Sequence, residues 1–232
     1  MDGIHNRDSD PAGYEFGAVD VPELAHGAGD EDAPVYSTGT TTVGIRTDEG
    51  VVLGTDRRAS LGGRFVANKD VVKVEQVHPT AAVTIAGSVG GAQAYTRQLR
   101  AEASLYENRR GEPMAMQGLS TLAGNMLRGL PVGIILGGVD ETGSHLFQVD
   151  GAGGVLTESD YTATGSGMQI ATGTLEDRYD PEGDIEDAQL AAGDAIAAAS
   201  ERDTASGNGF VLAVVTEEGV QIDAYKSTEE VN

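Results

Sequence analysis

The order in which strand-like and helix-like stretches follow one another constrains this chain most. Thr41, Val43 and Ile45 alternate with Thr42, Gly44 and Arg46, and Asp48-Glu49-Gly50 then turns the chain into an apolar run over 51–56, the pattern of a hairpin. Residues 64–67, 71–77 and 81–86 read as further strands, the last so continuously apolar that both of its faces are expected to be buried. Two helices follow. The first runs over about 91–109, with Ala92, Tyr95, Leu99, Ala103 and Tyr106 at helical spacing; the second opens at Pro113 and carries Ala115, Leu119, Leu122, Ala123 and Met126 on one stripe. Strands return over 132–139 and 144–149 and briefly near Val155 and Tyr161, helices over about 167–178 and 184–201, and a last hairpin over 210–216 and 220–225. Strands and helices segregated in this way argue against a parallel doubly wound sheet. They predict an α+β fold, a four-layer αββα sandwich of two antiparallel sheets covered by helix pairs.

Charge narrows the partners. Fifteen basic residues against 37 acidic ones leave a net charge of −22, so neither a nucleic-acid backbone nor an anionic membrane surface is an expected partner. Lysine occurs only at 69, 73 and 226, against twelve arginines, a balance that resembles proteins of salt-accumulating halophiles. Such a surface needs salt to screen its self-repulsion. There is no cysteine, hence no disulfide and no thiolate chemistry. No apolar run approaches the roughly 18 residues of a membrane span, and the first residues lack the basic-then-apolar order of a secretory signal, so a cytoplasmic location is expected. Residues 1–39 hold nine acids, one arginine and few large apolar groups, a composition that cannot bury enough to order itself. They read as an acidic tail or as a removable propeptide, with the folded domain over 40–232.

The change of character falls at Gly39-Thr40. Cleavage there would leave Thr40 with a hydroxyl nucleophile and a free α-amine, which titrates near pH 7.7–8.0 and can serve as its base. Taken alone, three threonines after a glycine are more simply a strand start. Other templates fail: the four histidines show no metal-binding spacing, no phosphate-binding loop is present, and Gly165-Ser166-Gly167 and Gly151–Gly154 do not form a dinucleotide fingerprint. No metal and no cofactor are expected. Ala86-Gly87-Ser88-Val89-Gly90 comes close to a serine-hydrolase elbow, but Ser88 would need an acid followed by a histidine downstream, where only His145 remains. The same turn suits Gly87 better as an oxyanion donor through its backbone N–H. Lys73 sits in an otherwise apolar stretch of a lysine-poor chain and could favour an alkoxide on Thr40, with Asp56 holding its charge; a solvent-facing lysine and a strand-end acid are the plainer readings of the two.

Taken together, Thr40-Thr41-Thr42-Val43-Gly44-Ile45, Thr55-Asp56-Arg57-Arg58, Ile85-Ala86-Gly87-Ser88-Val89-Gly90, Ala163-Thr164-Gly165-Ser166-Gly167 and Arg202-Asp203-Thr204-Ala205-Ser206-Gly207 resemble the successive motifs of archaeal proteasome β subunits, members of the N-terminal nucleophile hydrolases. The resemblance spans Thr40 to about Tyr225. It implies a threonine endopeptidase matured by self-cleavage at Gly39-Thr40, with Thr40 as nucleophile, Asp56 and Lys73 as its charge-setting pair and Gly87 as oxyanion donor. Ser166, Asp203 and Ser206 would surround the Thr40 amine. The segment before Lys73 is about one residue longer than the family pattern, which leaves Lys69 as runner-up for the lysine role. Ala59, Val71, Ile85 and Val89 fall near the family's primary pocket and suggest cleavage after hydrophobic residues. The family also implies proteasome α subunits and further β subunits as partners, in seven-membered rings with two stacked β rings between two α rings, an ATP-dependent unfoldase regulator, and unfolded protein substrates. The alternatives are an inactive structural ring subunit and, more distantly, a serine hydrolase using Ser88.

Overall fold

The computed structural model describes residues 37–61 and 64–231, with backbone alone for Ser37, Thr38, Leu61 and Val89. The acidic leader over 1–36 lies outside the described residues. In chain order the strands and helices are β1 (Ser37–Thr38), β2 (Thr41–Arg46), β3 (Val51–Asp56), β4 (Ala59–Leu61), β5 (Phe65–Asn68), β6 (Val74–His78), β7 (Ala81–Ser88), α1 (Val89–Arg110), α2 (Met116–Leu127), β8 (Val132–Asp140), β9 (Gly143–Val149), β10 (Val155–Glu158), β11 (Tyr161–Gly165), α3 (Met168–Arg178), α4 (Ile185–Ser200), β12 (Phe210–Thr216) and β13 (Gly219–Tyr225). One antiparallel sheet runs β7-β8-β9-β10, with β6 and β1 sharing the outer edge of β7, and the other runs β11-β2-β3-β12-β13.

Alternation along each strand sorts the core into three slabs. Val51, Leu53, Ala82, Ile135, Leu146, Val211 and Ala213 interdigitate between the sheets. Val83, Ile85, Ile134, Leu136 and Phe147 face the opposite way, onto Leu99, Met116, Leu119 and Leu127 of the first helix pair. Val43, Ile45, Val52 and Leu212 face Leu175, Ala188, Ala192, Ala195 and Ile196 of the second pair. The layers are therefore helices, sheet, sheet, helices, as the segregated order predicts. Both faces of β3 and of the Ala81–Ile85 part of β7 are buried, which is why their sequence is apolar without interruption.

Three details differ from the sequence reading. The second helix begins at Met116 and not at Pro113; its Ala115 cap has no side-chain acceptor, and the Asp140 carboxylate takes the Met116 N–H instead, at 2.7 Å. The strand expected over 71–77 starts at Val74, although the Lys73 carbonyl still accepts from Ile85 N at 2.8 Å. The segment over 64–67 forms β5, paired with β4, a partner that periodicity did not reveal.

Candidate active site

Strand register brings distant motifs to one point. β2 pairs β3 with Thr42 opposite Thr55, so Asp56 arrives beside Thr41 and accepts its N–H at 3.0 Å. β11 pairs β2 with Gly165 opposite Thr41, which sets Ser166 against the nitrogen of Thr40: that N–H donates to Ser166 Oγ at 3.1 Å. β12 pairs β3 with Phe210 opposite Asp56, and the loop before it brings Gly207 N to the other Asp56 oxygen at 3.0 Å. With Arg58 N at 2.9 Å, the two oxygens of this fully buried carboxylate are caged by backbone donors and one cation.

That cation is Lys73. It is 6% exposed, and its Nζ donates to Asp56 Oδ1 at 2.7 Å and to Thr40 Oγ1 at 3.2 Å. Burial pushes its ammonium below the ordinary lysine range, while the Asp56 charge pulls the other way. Lys69 is exposed on the loop after β5 and makes no such contact. Of the two lysines that the sequence offers for this place, Lys73 is the one that contacts Thr40.

On the nitrogen side a hydroxyl network closes around Thr40. Ser166 and Ser206 each donate to Asp203 Oδ2 at 2.6 Å, and Ser206 exchanges a hydrogen bond with Thr41 Oγ1 at 2.8 Å. Burial alone would raise the Asp203 carboxyl, but the two serine hydroxyls and the Ala205 N–H outweigh it and hold it below its usual value. Thr40 itself is 1% exposed, and its hydroxyl donates to the Gly39 carbonyl at 2.7 Å.

The residues before Thr40 also meet β7. Where β6 leaves that edge, the leader takes it: Thr38 lies opposite Gly87 and Ser37 opposite Ser88. Gly87 has φ +132, and a Cβ there would collide with the Pro131 carbonyl, so this turn requires glycine. Ala59, Val71 and Ile85 line one cleft beside Lys73 and Gly87, together with Val72, Glu75, Ala92 and Gln93. The side chain of Val89, the fourth expected member, lies outside the described residues. Glu75 makes the cleft less uniformly apolar than its sequence positions suggest, and it is joined to Arg100 at 3.3 Å.

The serine-hydrolase alternative finds no geometry. His145 bonds Thr142 and Asp140 at the β8–β9 turn, whereas Ser88 ends β7, just before α1, at the other end of β8, about 20 Å away at ~3.3 Å per residue over six residues. Two contributors, Thr41 and Ser60, were not among the residues singled out from the sequence, whereas Ser206 was. Thr41 and Ser206 link Asp56 to Asp203, and Ser60 Oγ accepts from Gly39 N at 3.3 Å. Of the two, only Thr41 could have been suspected, from its place beside the junction.

A four-layer αββα fold with a threonine hydroxyl, a buried lysine–aspartate pair and a hydroxyl network at the threonine nitrogen defines a hydrolase of the N-terminal nucleophile class. Residues 36–215 match the proteasome subunit family. The chain is 56% identical over 232 residues to proteasome subunit beta of Halomicrobium mukohataei, covering 99% of this chain and 96% of that one. It is 57% identical over 219 residues to proteasome subunit beta 2 of Haloarcula marismortui (93% and 94%), and 56% over 215 residues to subunit beta 1 of the same organism (91% and 89%). The chain belongs to the proteasome subunit family, on its β side, whose chemistry is that of a threonine-type endopeptidase. The haloarchaeal relatives agree with the acid-rich, lysine-poor composition.

Proposed function

We propose that Thr40 is the nucleophile of this endopeptidase and that the chain matures by cutting its own Gly39–Thr40 bond. The observation that carries this reading is the position of one atom: Thr40 Oγ1 lies between Lys73 Nζ, at 3.2 Å, and the carbonyl oxygen of the bond to be cut, at 2.7 Å. In maturation Oγ attacks the Gly39 carbonyl carbon, the C–N bond breaks as the ester C–O bond forms, and the hydroxyl proton ends on the Thr40 nitrogen. Water then cleaves the ester, leaving a Gly39 carboxylate and a free Thr40 with its hydroxyl restored.

The nitrogen already rests on Ser166, so the new amine is held where it can take the hydroxyl proton, directly or through a water, in the next reaction. Lys73 favours the negative oxygen, Asp56 keeps Lys73 charged, and Ser166, Asp203 and Ser206 orient the amine. The N–H of Gly87 stabilises the oxyanion, an interaction worth about 2.7–4 kcal/mol. The acyl-enzyme formed with substrate is hydrolysed by the same route. Ala59, Val71 and Ile85, with Val89 as the fourth position read from the sequence, favour hydrophobic residues before the cut bond.

The subunit assembles with proteasome α subunits and other β subunits in the core particle. Seven-membered rings, two β rings stacked between two α rings, an ATP-dependent unfoldase and unfolded protein substrates complete the proposal, in the cytoplasm. Among the described residues no helix is long and apolar enough to cross a membrane.

The test is the intact mass and N-terminal sequence of the subunit taken from assembled particles. The wild-type chain is expected to begin at Thr40, and the Thr40→Ala chain to keep residues 1–39 and to hydrolyse no peptide. A Thr40→Ala chain that still removes its own leader would refute the assignment.

A further inference from the structure

Gly39 does not owe its identity to backbone conformation. Its φ lies outside the left-handed range, so an L-residue could adopt the same dihedral. What excludes a side chain is a neighbour. A Cβ built on Gly39 would overlap the Ala205 methyl and come within 3.2 Å of Ser166 Oγ. Neither group can withdraw freely: Ala205 is 5% exposed and its N–H donates to Asp203 Oδ1 at 3.1 Å, while Ser166 is tied to Asp203 at 2.6 Å and receives the Thr40 N–H at 3.1 Å. Retreat by either one disturbs the network that positions the Thr40 nitrogen.

The direction of that missing Cβ matters as much as the crowding. Ala205 and Ser166 stand on the nitrogen side of Thr40, and neither lines the cleft formed by Ala59, Val71 and Ile85. A side chain at position 39 would therefore point away from the wall that receives substrate side chains.

We infer that Ala205 is the specificity-determining residue of self-cleavage: it restricts the residue before the bond to glycine, through a wall separate from the one that selects substrates. The inference rests on the proposed self-cleavage at Gly39–Thr40. One nucleophile thus serves two reactions with two different selections, a steric one for its own chain and an apolar one for others.

The experiment compares four full-length chains, each assembled with the α subunit in high salt: wild type, Gly39→Ala, Ala205→Gly and the double variant. Leader loss is followed over time by intact mass. Gly39→Ala is expected to process about tenfold more slowly or worse, the scale of an overpacked site. Ala205→Gly keeps the backbone N–H that Asp203 accepts and supplies the reference rate, and the double variant should return to within a few-fold of that rate. Wild-type processing of Gly39→Ala would overturn the inference, as would a double variant no faster than Gly39→Ala or a failure of Ala205→Gly by itself. A complementary measurement uses Ala205→Gly particles whose subunit begins at Thr40: their preference among peptides ending in leucine, phenylalanine, arginine or glutamate should match wild type, and a changed ranking would overturn the separation of the two walls. If instead the wild-type chain keeps its leader in assembled particles, it is the self-cleavage reading that has failed.

Discussion

The two walls that meet at Thr40 are made of different materials. The cleft wall is apolar and open, built from Ala59, Val71 and Ile85 with exposed Gln93 and partly exposed Glu75 beside them. The nitrogen wall is built from Ser166, Asp203, Ser206 and Ala205, joined by hydrogen bonds of 2.6 to 3.1 Å around one partly exposed carboxylate. The first resists little and can receive side chains of several shapes; the second is a fixed frame matched to one nitrogen. The contrast follows from dispersion and burial being non-directional, whereas hydrogen bonds fix distance and angle. A peptidase that must cut many sequences with one base needs both.

Lys73, which stands between the walls, is expected to give the largest effect. Lys73→Ala should lower peptide hydrolysis by about 10²–10⁴-fold, while Lys69→Ala stays within about twofold, because Lys69 is exposed and it is Lys73 that bonds Thr40 Oγ1. The reverse order in a peptide-hydrolysis assay would break the comparison at its centre. On the nitrogen wall, Ser166→Ala removes the acceptor of the Thr40 nitrogen, and a fall of about 10–100-fold in kcat with little change in KM is expected. An equal loss in KM would make Ser166 part of substrate binding instead.

The cleft wall should respond through selectivity. Ala59→Val, which narrows it, is expected to shift kcat/KM about tenfold from peptides with leucine before the cut toward those with alanine, and to leave maturation untouched. A slowed maturation would show that the two walls are not separate.

The smallest effect lies outside both. Asp140 caps Met116 and bonds Thr142 and His145, and although burial opposes it, these donors hold its carboxyl at about 2 against 3.8 unfolded. Such a depressed value contributes stability that is complete above about pH 4 and is lost as pH falls toward 2. Asp140→Asn should therefore cost about 1–2 kcal/mol in chemical denaturation at neutral pH. The gap to wild type should narrow as pH falls from about 4 and close near pH 2, and a gap undiminished there would show the carboxylate charge to be irrelevant.

The amino-acid sequence by itself determined the layered fold and the inventory of reactive groups. Periodicity of two and of 3.6 marks which face of each strand or helix must be buried, and the order of elements then leaves few architectures. The junction at Gly39-Thr40, the rare lysine and the five motifs were readable because they are local or because they resemble a family. Other features were not local. The start of α2 at Met116 was set by Asp140, 24 residues away, and the choice of Lys73 over Lys69 was made by where β6 leaves β7. The bond between Thr41 and Ser206, and the contact of Gly39 with Ala205, join residues whose sequence neighbours say nothing of one another. Only the register of β2 against β3 and β11, and of β3 against β12, decides those meetings, because pairing fixes which side chains share one face to within a single residue.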